Sequence, residues 1–274
     1  MANKGKYYES QFEEATIELL REAHWQYTLG DDIHRKYTDP LIEEDLRNFL
    51  AVQYKDKNLT TSEMDGIVAN LRNTGGQNDY YALRNAFLLY RDGYDFAYSD
   101  SRDNPFRMEY IDFEHPDHNI FRCVNQFVMG QGRENRRPDI LLFINGIPVC
   151  IIELKNPTKQ NATIRDAHTQ ICTRYMRDIP ALLKYCALAV ISDGAKNALG
   201  TTYTPFEFFY EWKKIENEDK AGKGLDTLRT LIRGALSPER ILEILRDYVY
   251  FPDPTKEDDT TEIVCRYPQF FATR

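Results

Sequence analysis

Three charged residues stand at the ends of two apolar runs in the middle of the chain. Asp139 precedes the run ILLFI, and Glu153 and Lys155 close the run IPVCIIELK. Residues two apart on a strand share one face, so Glu153 and Lys155 should project together, with Leu154 on the other face. Asn145-Gly146 between the runs is typical of a tight hairpin turn. The sequence therefore predicts a β-hairpin with a carboxylate and an ammonium group near its open end.

The hairpin register decides whether Asp139 joins this pair. A two-residue loop would pair Ile144 with Ile147, and Asp139 would then lie opposite Ile152, on the wrong face. A three-residue loop or a single β-bulge would instead place Asp139 opposite Glu153. A cluster of the three charged residues therefore requires an odd-length loop or a bulge.

Such a cluster has the parts for phosphodiester hydrolysis. Two carboxylates held close together in low-dielectric surroundings do not both stay ionised without a compensating cation. Oxygen ligands select Mg²⁺ or a similar hard ion, which lowers the pKa of bound water and neutralises charge on a phosphoryl group. A neighbouring lysine can orient the water or stabilise the pentavalent phosphorus. The alternative is that these residues are solvated strand ends, with Asp139 a turn residue after Pro138.

The elements around the hairpin predict an α/β fold with a central mixed β-sheet flanked by helices. Amphipathic helical spacing occurs in residues 8–24, 39–55, 60–74, 78–93 and 158–179, and in two segments broken at Ser237-Pro238. Strand patterns occur in residues 94–100, 106–113 and 119–130, in both halves of the hairpin, and in residues 185–194.

Acidic residues of the first predicted helix differ in their positions around its axis. At about 100° per residue, Glu14 and Glu18 lie opposite the apolar stripe, whereas Glu13 lies at the edge of the buried face. Glu9 also projects toward the apolar side, within the first turn. Glu13 and Glu9 are therefore not simply solvated.

Composition and charge exclude several classes of protein. The 274 residues carry a net charge of −8, yet residues 131–177 hold eight basic and four acidic residues, a basic island that suits an anionic partner. Five cysteines without a CxxC pair indicate reduced core thiols, not a disulfide frame or a zinc site. The sequence contains no H-x-x-x-H pair, so a zinc hydrolase is not expected. Neither a signal segment nor a membrane span is evident, so a cytoplasmic protein without a membrane partner is expected.

The stretch RRPDILLFINGIPVCIIELKNP resembles the PD-(D/E)XK nuclease core of the R (motor and cleavage) subunit of type I restriction enzymes. VNQF before it, and ISDG, FEFFYEWK and RGALSPERILEILRDYVYF after it, resemble the N-terminal region of that subunit in the same order. The resemblance implies a restriction-endonuclease-like core with an added N-terminal helical subregion. It places an endonuclease-like domain at residues 1–250, with a helical insert at about 39–92 and the catalytic core at about 94–203. Residues 251–274 would be a linker and the start of a motor domain.

The resemblance also implies a Mg²⁺-dependent endonuclease that cleaves double-stranded DNA, with Mn²⁺ able to substitute. Asp139 and Glu153 would bind the metal, and Lys155 would serve the attacking water. The family carries an acidic residue on its first helix, for which Glu13 is the candidate and Glu9 the second choice. The alternative is that Glu13 is simply a partly exposed helix glutamate.

A Gln-x-x-x-Tyr motif on the helix after the lysine strand is a further family feature. Here the matching residues are Gln170 and Tyr175, which are one residue further apart. In a regular α-helix that extra residue turns Tyr175 by about 100° and puts Arg174 in the expected place. Gln170 can still face the site, whereas the role of Tyr175 is in doubt. The alternative is that both residues simply lie on a face of the helix.

Other residues are candidates for binding DNA and nucleotide. Arg136, Arg137 and Lys159 could contact DNA phosphates, unless they lie on a merely solvated loop. RYPQFFATR resembles the entry to the ATP-driven motor, where Gln269 would read adenine; the alternative is a surface aromatic segment. The sequence has no G-x-x-x-x-G-K-[ST] motif, so ATP would serve only a longer, full-length subunit. That subunit would work in a complex with specificity (S) and methylation (M) subunits.

Two other functions compete with this interpretation. One is a nuclease-like fold that only binds or positions DNA, which the full Asp139, Glu153 and Lys155 set argues against. The other is a free-standing Mg²⁺-dependent nuclease of the resolvase or repair type, which the unfinished-looking C-terminal segment argues against.

Overall fold

A computed structural model describes residues 2–100, 103–130, 135–155, 163–216, 222–252 and 260–273, with side chains from Ser10 onward. Its strands are β1 (Gln26–Leu29), β2 (Tyr94–Phe96), β3 (Phe106–Met108), β4 (Phe121–Asn125), β5 (Ile140–Ile144), β6 (Ile147–Leu154), β7 (Leu188–Ser192), β8 (Asn197–Gly200), β9 (Val249–Tyr250) and β10 (Ile263–Val264). Its helices are α1 (Ala2–Glu22), α2 (Glu43–Gln53), α3 (Thr61–Asn73), α4 (Asp79–Asp92), α5 (Ile164–Thr169), α6 (Met176–Asp178), α7 (Pro180–Leu183), α8 (Leu225–Ala235), α9 (Pro238–Asp247) and α10 (Tyr267–Ala272).

Six strands form one mixed sheet in the order β1-β4-β5-β6-β7-β8. The β1–β4 and β6–β7 pairs are parallel, and the other neighbours are antiparallel. Every residue of β5, β6 and β7 is buried, which explains why their sequences are near-continuous apolar runs. The predicted α/β fold with a central mixed sheet and flanking helices is confirmed.

Helices cover both faces of this sheet. On one face, alternate strand residues such as Ile140 and Ile152 pack with α1, α3, α4, α8 and α9 in the larger core cluster. On the other, Leu141 and Ile151 pack with Ala167 and Ile171 from the helical segment after β6. Because side chains alternate along a strand, Glu153 shares its face with Ile151 and so points toward that helical segment.

Several predicted elements differ from the observed ones. Residues 94–100 and 106–113 do contribute strands, but β2 and β3 pair with each other in a two-stranded sheet separate from the six-stranded one. The edge strands β1 and β8 were not predicted, and β1 is short and half exposed, with no alternating apolar pattern. The helices α8 and α9 separate at Ser237-Pro238 as predicted, because proline is suited to the first turn of a helix.

The last described residues pack onto the rest of the chain. β10 pairs with β9, and Phe270 of α10 is fully buried, with its ring 5.5 Å from that of Trp212. Of the helices in the described ranges, none combines the length and the apolar character that crossing a membrane requires.

Candidate active site

The turn between β5 and β6 is buried and tightly fixed. Asn145 and Gly146 have φ angles of 50° and 76°, and Ile144 pairs with Ile147, so the loop has two residues. A Cβ atom on Gly146 would lie 2.1 Å from the carbonyl oxygen of Ile42, which leaves room only for glycine. The side-chain oxygen Oδ1 of Asn145 accepts a hydrogen bond from the backbone N–H of Ile120 at 2.7 Å. The turn is therefore anchored to the loop that enters β4.

A β-bulge in β6 corrects the register that this turn would impose. Phe143 pairs with Pro148, but Leu142 pairs with Cys150, so Val149 has no partner on β5. Pro148 lacks a backbone N–H, and sheets tolerate such a residue at bulges. Beyond the bulge Ile140 pairs with Ile152, and the next residues are Asp139 and Glu153. The predicted need for a bulge is confirmed.

The two carboxylates meet where these strands end. Glu153 is 1% exposed, and Oδ2 of Asp139 accepts a hydrogen bond from the backbone N–H of Leu154 at 2.7 Å. Burial and then the charge of Asp139 raise the pKa of Glu153 to about 8, although Lys155 opposes the rise. A buried carboxyl with this pKa keeps its proton near neutral pH unless a cation takes the place of that proton.

Lys155 lies beside this pair and joins it to the following helix. Its Nζ donates hydrogen bonds to Oε1 of Glu153 and to Oε1 of Gln170, both at 2.7 Å. The Lys155 side chain is only 14% exposed. Gln170 therefore faces the site.

Tyr175 also faces the site, although a regular α-helix would have turned it away. Residues Gln170–Tyr175 form a π-helical segment between α5 and α6, and a π turn holds one residue more than an α turn. The Tyr175 hydroxyl accepts a hydrogen bond from Nε2 of Gln170 at 2.6 Å and lies 3.2 Å from Oε2 of Glu153, to which it can donate. Arg174, which a regular helix would have placed here, is exposed. The side chain of Tyr175 is not rotated away from the site, because the π turn accommodates the extra residue between Gln170 and Tyr175.

Glu13 lies next to the same end of the sheet. It is partly buried, and its Oε1 accepts hydrogen bonds from Asn125 at 2.8 Å and from Gln126 at 3.1 Å. Asn125 pairs with Ile140, the neighbour of Asp139. The first helix therefore brings one carboxylate close to the strand end that carries Asp139. The side chain of Glu9 lies outside the described part of the chain.

A basic groove opens beside Gln170 and Tyr175. Its volume is about 490 Å³, and its other lining residues are Asn135, Arg136, Arg137, Arg174, Arg177 and Asp178. Arg137 is exposed, whereas Nε of Arg136 donates a hydrogen bond to Oδ2 of Asp178 at 2.7 Å, an ion pair that the sequence does not predict. Arg177 and then Arg136 lower the pKa of Asp178 to about 2. Arg174 and Arg177 were not singled out from the sequence, although both fall within the basic island.

Two other candidates lie apart from this cluster or outside the described chain. Gln269 is exposed, and its Oε1 accepts a hydrogen bond from the backbone N–H of Arg266 at 2.8 Å at the start of α10. Lys159 lies outside the described residues.

Comparison with known proteins gives consistent family matches. The family model for the type I restriction enzyme R protein N terminus matches residues 6–208, a range that contains every candidate site residue except Gln269. The chain is 28% identical over 275 residues to the HindI type I restriction enzyme endonuclease subunit of Haemophilus influenzae, with 96% of this chain and 26% of that protein covered. It is 27% identical over 286 residues to the putative MjaIXP endonuclease subunit of Methanocaldococcus jannaschii, with 96% and 27% covered.

A third relative is the EcoprrI endonuclease subunit of Escherichia coli, which is 30% identical over 189 residues. That match covers 66% of this chain and 55% of the relative. The chain spans about a quarter of the length of the HindI and MjaIXP subunits.

Proposed function

The chain belongs to the family of type I restriction enzyme R protein N termini, and on that premise we propose that it is a Mg²⁺-dependent endonuclease module for double-stranded DNA. The observation that carries the proposal is the Glu153 carboxyl, which is 1% exposed and lies between Lys155, Tyr175 and the charge of Asp139. Structural carboxyls are seldom buried in this way without a cation.

Asp139 and Glu153 would hold the metal ion. Both offer only oxygen, the ligand atom that Mg²⁺ prefers, and burial has raised the pKa of Glu153 in a way that a divalent cation would reverse. When bound, the ion would supply a nucleophilic water at neutral pH and neutralise charge on the phosphoryl group. Mn²⁺ has the same preference for oxygen and should substitute.

Lys155 is suited to act on the attacking water or the phosphoryl oxygen. An ammonium group has three N–H donors, and Glu153 and Gln170 accept two of them. The third donor has no acceptor among the contacts of the described residues, so it can serve the substrate. Gln170 and Tyr175 act as positioning residues, because one orients the ammonium of Lys155 and the other orients Glu153.

The basic groove would receive the DNA backbone. Arg137 and Arg174 are exposed there, and guanidinium groups bind phosphate in a bidentate manner. Because Arg136 forms an ion pair with Asp178, we propose that it contributes less to phosphate binding than the exposed arginines do. Glu13 would complete the acidic set from the side of α1.

The longer protein would supply the remaining activities. We propose that cleavage follows ATP-driven translocation by motor domains beyond this chain, with Gln269 near the adenine. Specificity and methylation subunits would choose the DNA site. The basis is the family, since the matched relatives are named as endonuclease subunits and are about four times longer than this chain.

Replacement of Lys155 tests the proposed chemistry. In the full-length subunit assembled with its partners, Lys155→Ala should slow cleavage of plasmid DNA in Mg²⁺ by about 10²–10³-fold, the usual loss when one preorganised electrostatic group is removed. Lys196→Ala, at an exposed lysine in the β7–β8 turn, is the matched control and should cleave like wild type. A cleavage rate of Lys155→Ala equal to that of the control variant Lys196→Ala would favour a domain that only positions DNA.

A further inference from the structure

A second group of metal-ligand side chains lies at the other end of the catalytic hairpin. Asp112, His115 and His118 follow β3, on the loop that leads into β4. This loop contacts the Asn145 turn, whereas Asp139 and Glu153 lie at the far ends of β5 and β6. We propose that the three residues form a binding site for a transition-metal ion of the Zn²⁺ type, separate from the nuclease site.

The three candidate ligand atoms lie close together, and Asp112 contacts both histidines. Oδ2 of Asp112 lies 2.9 Å from Nδ1 of His118 and 3.3 Å from Nδ1 of His115, and all three atoms lie within 4.8 Å of one another. Zinc binds imidazole nitrogen and carboxylate oxygen at about 2.0–2.2 Å, so neighbouring ligand atoms of a tetrahedral site are roughly 3.3–3.5 Å apart. An ion bound here would replace the hydrogen bonds between Asp112 and the two histidines.

The local backbone places both imidazoles beside Asp112. Residues Pro116–His118 form a 3-10 turn, and His115 stands directly before it as the N-cap residue. The rings of His115 and His118 are stacked, with centroids 4.8 Å apart and planes 22° from parallel. Proline at the first position of the turn restricts its backbone. The turn therefore holds both histidines beside Asp112, and binding one ion requires one ring to rotate until its nitrogen points at the same ion as the other.

Asp112 is a fixed ligand, while the histidines face solvent. Oδ1 of Asp112 accepts hydrogen bonds from the backbone N–H groups of Glu114 and His115, and Oδ2 accepts one from Nε2 of Gln53 at 3.1 Å. The histidine side chains are 64% and 49% exposed, so an ion can enter and keep water in its fourth position.

The ligand types select the ion. Two imidazole nitrogens and one carboxylate suit Zn²⁺, Co²⁺ or Ni²⁺, whereas Mg²⁺ prefers oxygen alone. The two proposed sites should therefore be distinguishable by the metal that each one takes.

Binding at this site would stiffen the turn of the catalytic hairpin. Oδ1 of Asn119 accepts hydrogen bonds from the backbone N–H of Asp112 at 2.9 Å and from Nδ2 of Asn145 at 2.8 Å. Nδ2 of Asn119 donates back to the carbonyl of Asp112 at 2.7 Å. Asn119 thus connects Asp112 directly to the hairpin turn, and we assign the ion a structural role.

Calorimetric titration of the tag-free chain with ZnCl₂ tests the proposal. Performed in the Asp139→Ala background, which removes the other carboxylate site, it should show one Zn²⁺ per chain with a micromolar Kd, and a rise in Tm on binding. His118→Ala should weaken binding at least tenfold. His34→Ala, at another exposed histidine, should leave the Kd unchanged.

Two outcomes would overturn the proposal. The first is absence of Zn²⁺ binding below millimolar concentrations in the Asp139→Ala chain. The second is an equal Kd for His118→Ala and His34→Ala. Because the histidines are half exposed, neither replacement should prevent folding, and equal far-UV circular dichroism of the variants checks this point.

Discussion

Asp139→Ala should abolish DNA cleavage by the full-length, assembled subunit, with a loss of about 10³-fold or more, while leaving ATP hydrolysis unchanged. The cleavage loss follows because Asp139 is one of two proposed metal ligands, and losing a ligand removes both the metal-activated water and the neutralisation of phosphate charge. The ATPase should be spared because the chain contains no phosphate-binding G-x-x-x-x-G-K-[ST] loop. Plasmid cleavage and phosphate release, measured in the same reaction, give the two rates.

The matched control for this replacement is Asp193→Ala, at the carboxylate that follows β7, whose hydrogen bonds are to backbone N–H groups of its own turn. It should retain both activities. If Asp139→Ala lost its ATPase together with its cleavage, separate roles for the nuclease module and the motor would be wrong.

Glu153→Gln should remove a pH dependence of stability from the metal-free chain. Burial and the charge of Asp139 raise the pKa of Glu153 from its ordinary value of 4.5 to about 8. Between these values the folded state binds more protons than the unfolded state, so the free energy of unfolding falls as pH rises. The slope from this group is at most about 1.4 kcal/mol per pH unit, and glutamine, which cannot ionise, should abolish it.

Urea denaturation in EDTA at intervals from pH 5 to pH 8 measures this effect. The wild-type chain should lose stability across the range relative to Glu153→Gln, with the largest difference at pH 8. Glu14→Gln, at an exposed glutamate of α1, should keep the wild-type slope. Parallel curves for the wild type and Glu153→Gln would show that Glu153 ionises in the folded chain as readily as in water.

Local patterns were sufficient to predict the hairpin that carries the site. Its apolar runs and Asn145-Gly146 gave the strands and the turn, and the two-residue side-chain period showed that Asp139 needs a bulge to meet Glu153. The pattern did not locate that bulge, since Val149 resembles its apolar neighbours. The burial of Asn145 could not be predicted from local sequence either, because it depends on hydrogen bonds with Ile120 and Tyr110, which lie more than twenty residues away in sequence.

Contacts that depend on distant residues or on irregular backbone were not predictable. The spacing of Gln170 and Tyr175 fits either a rotated tyrosine or a π turn, and only packing against Glu153 selects the second. The sequence alone makes Arg136 a candidate DNA-binding residue. In the structure it pairs with Asp178, which lies about forty residues further along the chain. Edge strand β1 is set by parallel pairing with β4 and has little apolar signal of its own.

The most direct measurement of the central claim is metal binding at the acidic pair. Crystals of the chain soaked in Mn²⁺ should show an anomalous difference peak between Asp139 and Glu153, at about 2.0–2.3 Å from an oxygen of each. Crystals of Asp139→Ala treated in the same way should lack that peak. Saturating Mn²⁺ with no peak between the two carboxylates of the wild-type chain would contradict a metal-dependent nuclease site.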